Sequence, residues 1–213
     1  MKAKFGSFLM ILGTVLLTAA LALFLRNGQE NMEAGNASAE LMPQLVEAIV
    51  ENREEAVRQK AEEEATVPQE TEEQIPTATQ REMTVSRVNG YDCIGFLAIP
   101  SLELELPVMA DWNSEKLQIA PCRYWGNLYA QDLVIMAHNY QKHFGKLSQL
   151  RRGGIITFTD MEGETFEYQV MAVEILNAQA IEEMTAGEYD LTLFTCTYGG
   201  ENRVTVRCDR TTG

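Results

Sequence analysis

Hydrophobic and polar positions alternate in three different ways along this chain. From Phe5 to Leu25, "FGSFLMILGTVLLTAALALFL", 21 residues carry no charge, with Lys2 and Lys4 before them and Arg26 after. As a helix rising 1.5 Å per residue, this stretch is about 30 Å long, the thickness of a bilayer's hydrocarbon core. Residues 39–65 then place Leu45, Ile49 and Val50 at helical spacing, with Glu54 and Arg58 as an i,i+4 pair. That pattern predicts a helical stalk with a thin apolar stripe, with too few sustained heptads for a coiled coil. Residues 66–86 are polar, contain Pro68 and Pro76 and show no apolar period, which predicts a linker.

Beyond about Arg87 the period changes to two. Residues 94–99, 104–109, 132–137, 154–160, 165–176, 190–196 and 203–208 read as strands, and Gly163 supplies the turn of a hairpin between the fourth and fifth. Short helices fit 113–120, 144–150 and 178–186. Seven short strands in one small unit predict a mostly β barrel or sandwich, not a doubly wound sheet. The chain therefore divides into a tail and anchor (1–26), an acidic stalk and linker (27–86) and a folded β unit (87–213).

The flanking charges orient the anchor. Lys2 and Lys4 precede the apolar run, whereas a glutamate-rich segment follows Arg26. The positive-inside tendency leaves the N-terminus cytoplasmic and everything after Arg26 outside. A cleavable signal peptide is the rival, with "ALA" at 20–22 as its cleavage site, but the apolar run exceeds a secretory h-region and continues to Leu25. Either reading exports the β unit. The net charge is −14, and residues 27–86 hold fourteen glutamates against four basic residues. No basic stripe exists, so nucleic acid is excluded as a partner class. Cys93, Cys122, Cys196 and Cys208 form no C-x-x-C pair, so neither a zinc site nor a disulfide framework is implied. Glu162, Glu164 and Glu167 suggest an ordinary solvated hairpin, and calcium only weakly.

The candidate chemistry is concentrated in three places. His138 and His143 are the two histidines of the chain. His138 ends the apolar strand "LVIMA", where a scaffold can hold a polar group at a sheet's rim; His143, in the loop beyond, reads as structural or exposed. Cys196 also ends an apolar strand, and Arg203 opens the next one after the turn "TYGGEN". An arginine beside a cysteine favours the thiolate and can donate hydrogen bonds to an oxyanion. Cys93, Cys122 and Cys208 read as core thiols. Asp111 and Trp112 read as surface-loop residues, and "CRYWGNLY" (122–129) as packing, with groove lining the minority reading.

These segments resemble sortases, the membrane-anchored cysteine transpeptidases of Gram-positive bacteria. "TLFTC" fits their TLxTC signature, "GFLAIP" their G-x-L-x-I-P pattern, and "LVIMAHNYQKHFGKL" the segment bearing their histidine. The resemblance covers about 91–208 and includes the order His, Cys, Arg. It implies a closed β-barrel with short helices, catalytic roles for His138, Cys196 and Arg203, and a substrate-lining role for Thr195. No metal and no cofactor are implied. Ala137 stands where the family usually has glycine, and the Cys-to-Arg loop is short. The segment around His138 is most similar to class B or related clostridial sortases.

The resemblance further implies attack by Cys196 on the Thr–Gly bond of an LPxTG-like signal on an exported protein. An amine of a cell-wall precursor or a pilin would then resolve the thioester. Without a lid segment upstream of the first strand, surface anchoring is favoured over pilin polymerisation. The alternatives are an extracytoplasmic cysteine peptidase acting on the same signal and a non-catalytic sortase-like binding module.

Overall fold

The computed structural model describes residues 2–66 and 81–211. One long helix, α1 (Lys2–Thr66), precedes the strands β1 (Ser86–Val88), β2 (Tyr91–Ile99), β3 (Leu104–Met109), β4 (Cys122–Trp125), β5 (Leu133–Met136), β6 (Ile155–Asp160), β7 (Thr165–Asn177), β8 (Leu191–Cys196) and β9 (Asn202–Arg210). Two short α-helices interrupt them, α2 (Ser114–Ile119) and α3 (Ile181–Thr185), with single 3-10 turns at Pro100–Leu102 and Leu147–Gln149, the latter being all that forms of the helix expected over 144–150. All seven strands expected from the alternation are present. β1 and β4 are additional: β1 has only three residues, and Arg123 interrupts the apolar run of β4, whereas β5, equally short, is apolar throughout.

The sheet order is β1-β2-β3-β4-β5-β8-β9-β7-β6, and β2 also pairs with β6. That last pairing closes the strands from β2 to β6 into a barrel, which removes the exposed edges of an open sheet. Closure requires β2 to serve two neighbours. It does so at Gly95, where the β2–β3 register shifts and the β2–β6 ladder begins opposite Asp160. Gly95 has φ +141°, and a Cβ there would lie 2.0 Å from the Thr159 carbonyl oxygen. Only glycine fits both the backbone angle and the space.

Alternate residues of the strands fill the barrel with Leu97, Ile135, Phe158, Tyr168, Leu193 and Val206, all with no exposed surface. A second apolar cluster lies outside, between the barrel and α1, and includes Leu41, Leu45, Ile49, Cys93, Met109, Leu117 and Met161. Asn52 closes this interface by donating to Met161 O at 2.9 Å and to Ser86 Oγ at 2.9 Å.

The segment 39–65 is helical, but its apolar face differs from the expected one. Leu41, Leu45 and Ile49 are buried on the barrel, while Val50 is 49% exposed. Arg58 pairs with Glu55 at 3.6 Å. Most of the expected linker, 67–80, lies outside the described residues. At the other end of α1 the apolar run has no protein cover: Met10, Leu17 and Phe24 are each about three-quarters exposed. Among the described residues, α1 is the one helix long and apolar enough to cross a membrane.

Substituting Gly95→Ala should break barrel closure locally and cost about 3 kcal/mol or more, because strain and a backbone clash add. Denaturant melts of the purified variant will measure this, and a loss below about 1 kcal/mol would contradict the closure argument.

Candidate active site

Strand alternation decides which side of the barrel each candidate residue occupies. In β5, Leu133 and Ile135 point inward, and so does Ala137 just past its end. Val134 and Met136 therefore face outward, where they pack with Met184 and Phe194, and His138 follows them on that face. In β8, Leu191 and Leu193 point inward, leaving Thr192, Phe194 and Cys196 outside. In β9, Val204, Val206 and Cys208 point inward, leaving Arg203, Thr205 and Arg207 outside.

Register then brings the outward residues level. β5 runs parallel to β8 with Met136 opposite Phe194, and the ladder continues as Ala137 N donates to Phe194 O at 3.3 Å. Two residues further on, this register sets His138 beside Cys196. β8 and β9 are antiparallel, with Cys196 directly opposite Arg203. The strand ends thus gather His138, Cys196 and Arg203 at one rim.

All three, with Thr195, line one cavity of about 340 Å³. Its walls are mainly apolar: Trp112, Leu117, Tyr124, Met136, Met184 and Phe194. Tyr124 meets Phe194 edge to face at 5.2 Å, and Trp112 leans on Tyr124 at 6.0 Å. Trp112 lies in the loop between β3 and α2 and is 48% exposed, as the surface-loop reading has it, and it also forms a wall of this cavity. The sequence signal for Tyr124 is weak because β4, which carries it beside β5, has Arg123 in place of the continuous apolar run that marks β5.

Two polar side chains brace the rim. Thr195 is 3% exposed, and its hydroxyl donates to Ala137 O at 2.8 Å, tying β8 to the residue before His138. Arg203 Nη1 donates to Gly200 O at 2.9 Å and to Asn202 O at 3.1 Å, so its guanidinium also shapes the β8–β9 turn.

Burial separates the titratable groups. His138 is pushed below the ordinary histidine value by desolvation, and Glu30 of α1 opposes that shift. Desolvation pushes Cys93 and Cys122 up to about 12 and also raises Cys208. Cys196 is the one cysteine that is not buried. His143, read as structural or exposed, has no exposed surface. Desolvation lowers it to about 4. Glu162 and Glu164 pair with Arg81, and among the described residues no group of His, Cys, Asp or Glu is arranged to hold a metal ion.

Two measurements follow. Iodoacetamide on the folded protein should label Cys196, with Cys93, Cys122 and Cys208 reacting only on unfolding; peptide mapping reads the order. Because His143 is held below its ordinary value of 6.5, its stabilising contribution is complete above that pH. It is lost as pH falls toward about 4, where the unfolded chain takes up the proton first. Thermal melts from pH 8 to pH 4 should therefore show a smaller acid loss in His143→Gln than in the parent protein.

The barrel resembles several solved structures. Sortase C of Streptococcus pneumoniae superposes with a TM-score of 0.57 at 23% identity, over 82% of this chain and 97% of that one. Sortase C-1 of Actinomyces oris gives 0.51 at 22%, over 57% and 76%. Sortase C2 of Group B Streptococcus Pilus Island 1 gives 0.50 at 21%, over 64% and 85%. At these identities the likeness is one of fold. No curated protein matches the chain. The sortase domain model matches residues 97–211, more than half of the sequence, and the chain therefore belongs to the sortase family of cysteine transpeptidases.

Proposed function

We propose that this sortase is anchored by the apolar part of α1, with its N-terminus cytoplasmic and its barrel outside, and that it transfers the acyl half of an LPxTG-like signal to an amine. The observation that carries the reading is the convergence of His138, Cys196 and Arg203 on one outward face, beside an apolar cavity. Cys196, as thiolate, attacks the Thr–Gly carbonyl carbon, and a C–S bond forms. His138 gives its proton to the departing glycine nitrogen as the C–N bond breaks, leaving a thioester on Cys196. An acceptor amine then attacks the thioester, the C–S bond breaks, and His138 takes the amine's proton.

Arg203 donates to the oxygen that carries charge in both tetrahedral intermediates. Thr195 contributes to the substrate-facing lining and holds Ala137. The apolar walls suit the leucine and proline of such a signal and keep water scarce while the acceptor arrives. The acceptor is an amine of a cell-wall precursor or of a pilin.

Incubating the enzyme with an LPxTG-containing peptide, with and without an added oligoglycine or lysine amine, tests the reading by mass spectrometry. The amide product should predominate with amine present; hydrolysis alone under abundant amine would replace the transferase with a peptidase. Cys196→Ala should lower turnover by at least about a thousandfold, and Arg203→Ala by about a hundredfold in kcat.

A further inference from the structure

The helix α1 packs against the turn that follows His138. Ser38, on the buried face of α1, is 2% exposed, and its hydroxyl donates to Ile119 O at the end of α2. With that hydrogen engaged, Ser38 Oγ accepts from His143 Nε2 at 3.1 Å, across 105 residues of sequence. His143 Nδ1 is buried without a hydrogen-bond partner, so the ring is held through Nε2. One turn before Ser38, Gly35 packs against the stem of Lys142 so closely that a Cβ would lie 2.8 Å from its Cγ.

The segment gripped in this way is the one that follows His138. Phe144 N donates to His138 O at 3.2 Å, and His143 N and Gly145 N both donate to Tyr140 O at 2.9 Å. The Tyr140 ring lies between the two histidines, 5.0 Å from His138 and 5.6 Å from His143. His138 is thus fixed on its strand side by Thr195 through Ala137, and on its loop side by a compact turn pinned to α1.

We propose that Ser38 and His143 are positioning residues for the reaction: they latch α1 onto the 138–145 turn and thereby set the imidazole of His138 against Cys196. The proposal rests on the assignment of His138 and Cys196 as the reacting pair. It makes the helix that carries the apolar run a working part of the active site.

The test uses the full chain in detergent or liposomes. Ser38→Ala leaves the helix intact and removes the hydroxyl that His143 Nε2 donates to, while the Ala34 and Ile119 carbonyls stay beside the ring. It should lower kcat for the signal peptide about tenfold with KM within about twofold, and shift the pH profile of Cys196 alkylation by iodoacetamide. His143→Gln keeps an N–H donor for Ser38 and should retain most of the activity, whereas His143→Phe should match Ser38→Ala. Leu45→Ala, which weakens α1 packing away from the latch, should lower the melting temperature while leaving the alkylation profile unchanged.

A Ser38→Ala enzyme that loses melting temperature but keeps kcat and the parent alkylation profile would overturn the proposal. So would a Leu45→Ala enzyme with the same kinetic loss as Ser38→Ala. If the parent protein transfers no peptide at all, the transpeptidase reading fails. The alkylation profiles still decide whether Ser38 and His143 set the environment of the His138–Cys196 pair.

Discussion

The parallel pairing of β5 with β8 is the constraint on which the site depends. Parallel neighbours must be joined by a crossover, so their facing ends come from distant parts of the sequence. Here the pairing places Met136 opposite Phe194 and carries on through Ala137. Because side chains alternate with period two, a slip of one residue would move His138 to the barrel interior and leave Cys196 without it. The buried hydroxyl of Thr195, donating to Ala137 O, acts at the place where that register is needed. Once β5 and β8 are aligned, the antiparallel β8–β9 hairpin delivers Arg203 with no further device.

Much of this was legible in the sequence because the barrel strands obey their period. His138 and Cys196 each end an apolar run, "LVIM" and "LTLF", and Arg203 opens "RVTV", so all three stand out at strand ends. The docking of α1 was not legible. Its buried face is made of Ala34, Ser38, Leu41, Leu45 and Ile49, and two of these five are small or polar residues that give no hydrophobic signal. Val50, which looked like part of the stripe, faces solvent. The cavity walls were equally hidden, since Tyr124 meets Phe194 only through the β4–β5 and β5–β8 pairings, and Trp112 joins them by leaning on Tyr124. His143 could be read as a loop histidine because its partner Ser38 lies in another element, more than a hundred residues away.

The part of the wall that packs against Phe194 comes from α3, a five-residue helix with no side-chain N-cap. A helix this short does not hold itself together, so something else must keep Met184 over the cavity. That group is Arg207, whose side chain is 7% exposed. Its Nη2 donates to Glu183 O at 2.8 Å and its Nη1 to Met184 O at 3.4 Å, both carbonyls in the last turn of α3. The same guanidinium donates to Glu174 Oε1 at 2.7 Å and to Thr192 Oγ1 at 3.1 Å, so the buried charge is paired and its hydrogens are directed to β7 and β8 as well. Arg207 stands on the same strand and face as Arg203, four residues further along β9. One strand therefore supplies both the arginine opposite Cys196 and the arginine that holds the cavity wall. Its register against β8 sets chemistry and enclosure together, because a shift that displaced Arg203 would also release Met184 and open the apolar wall to water.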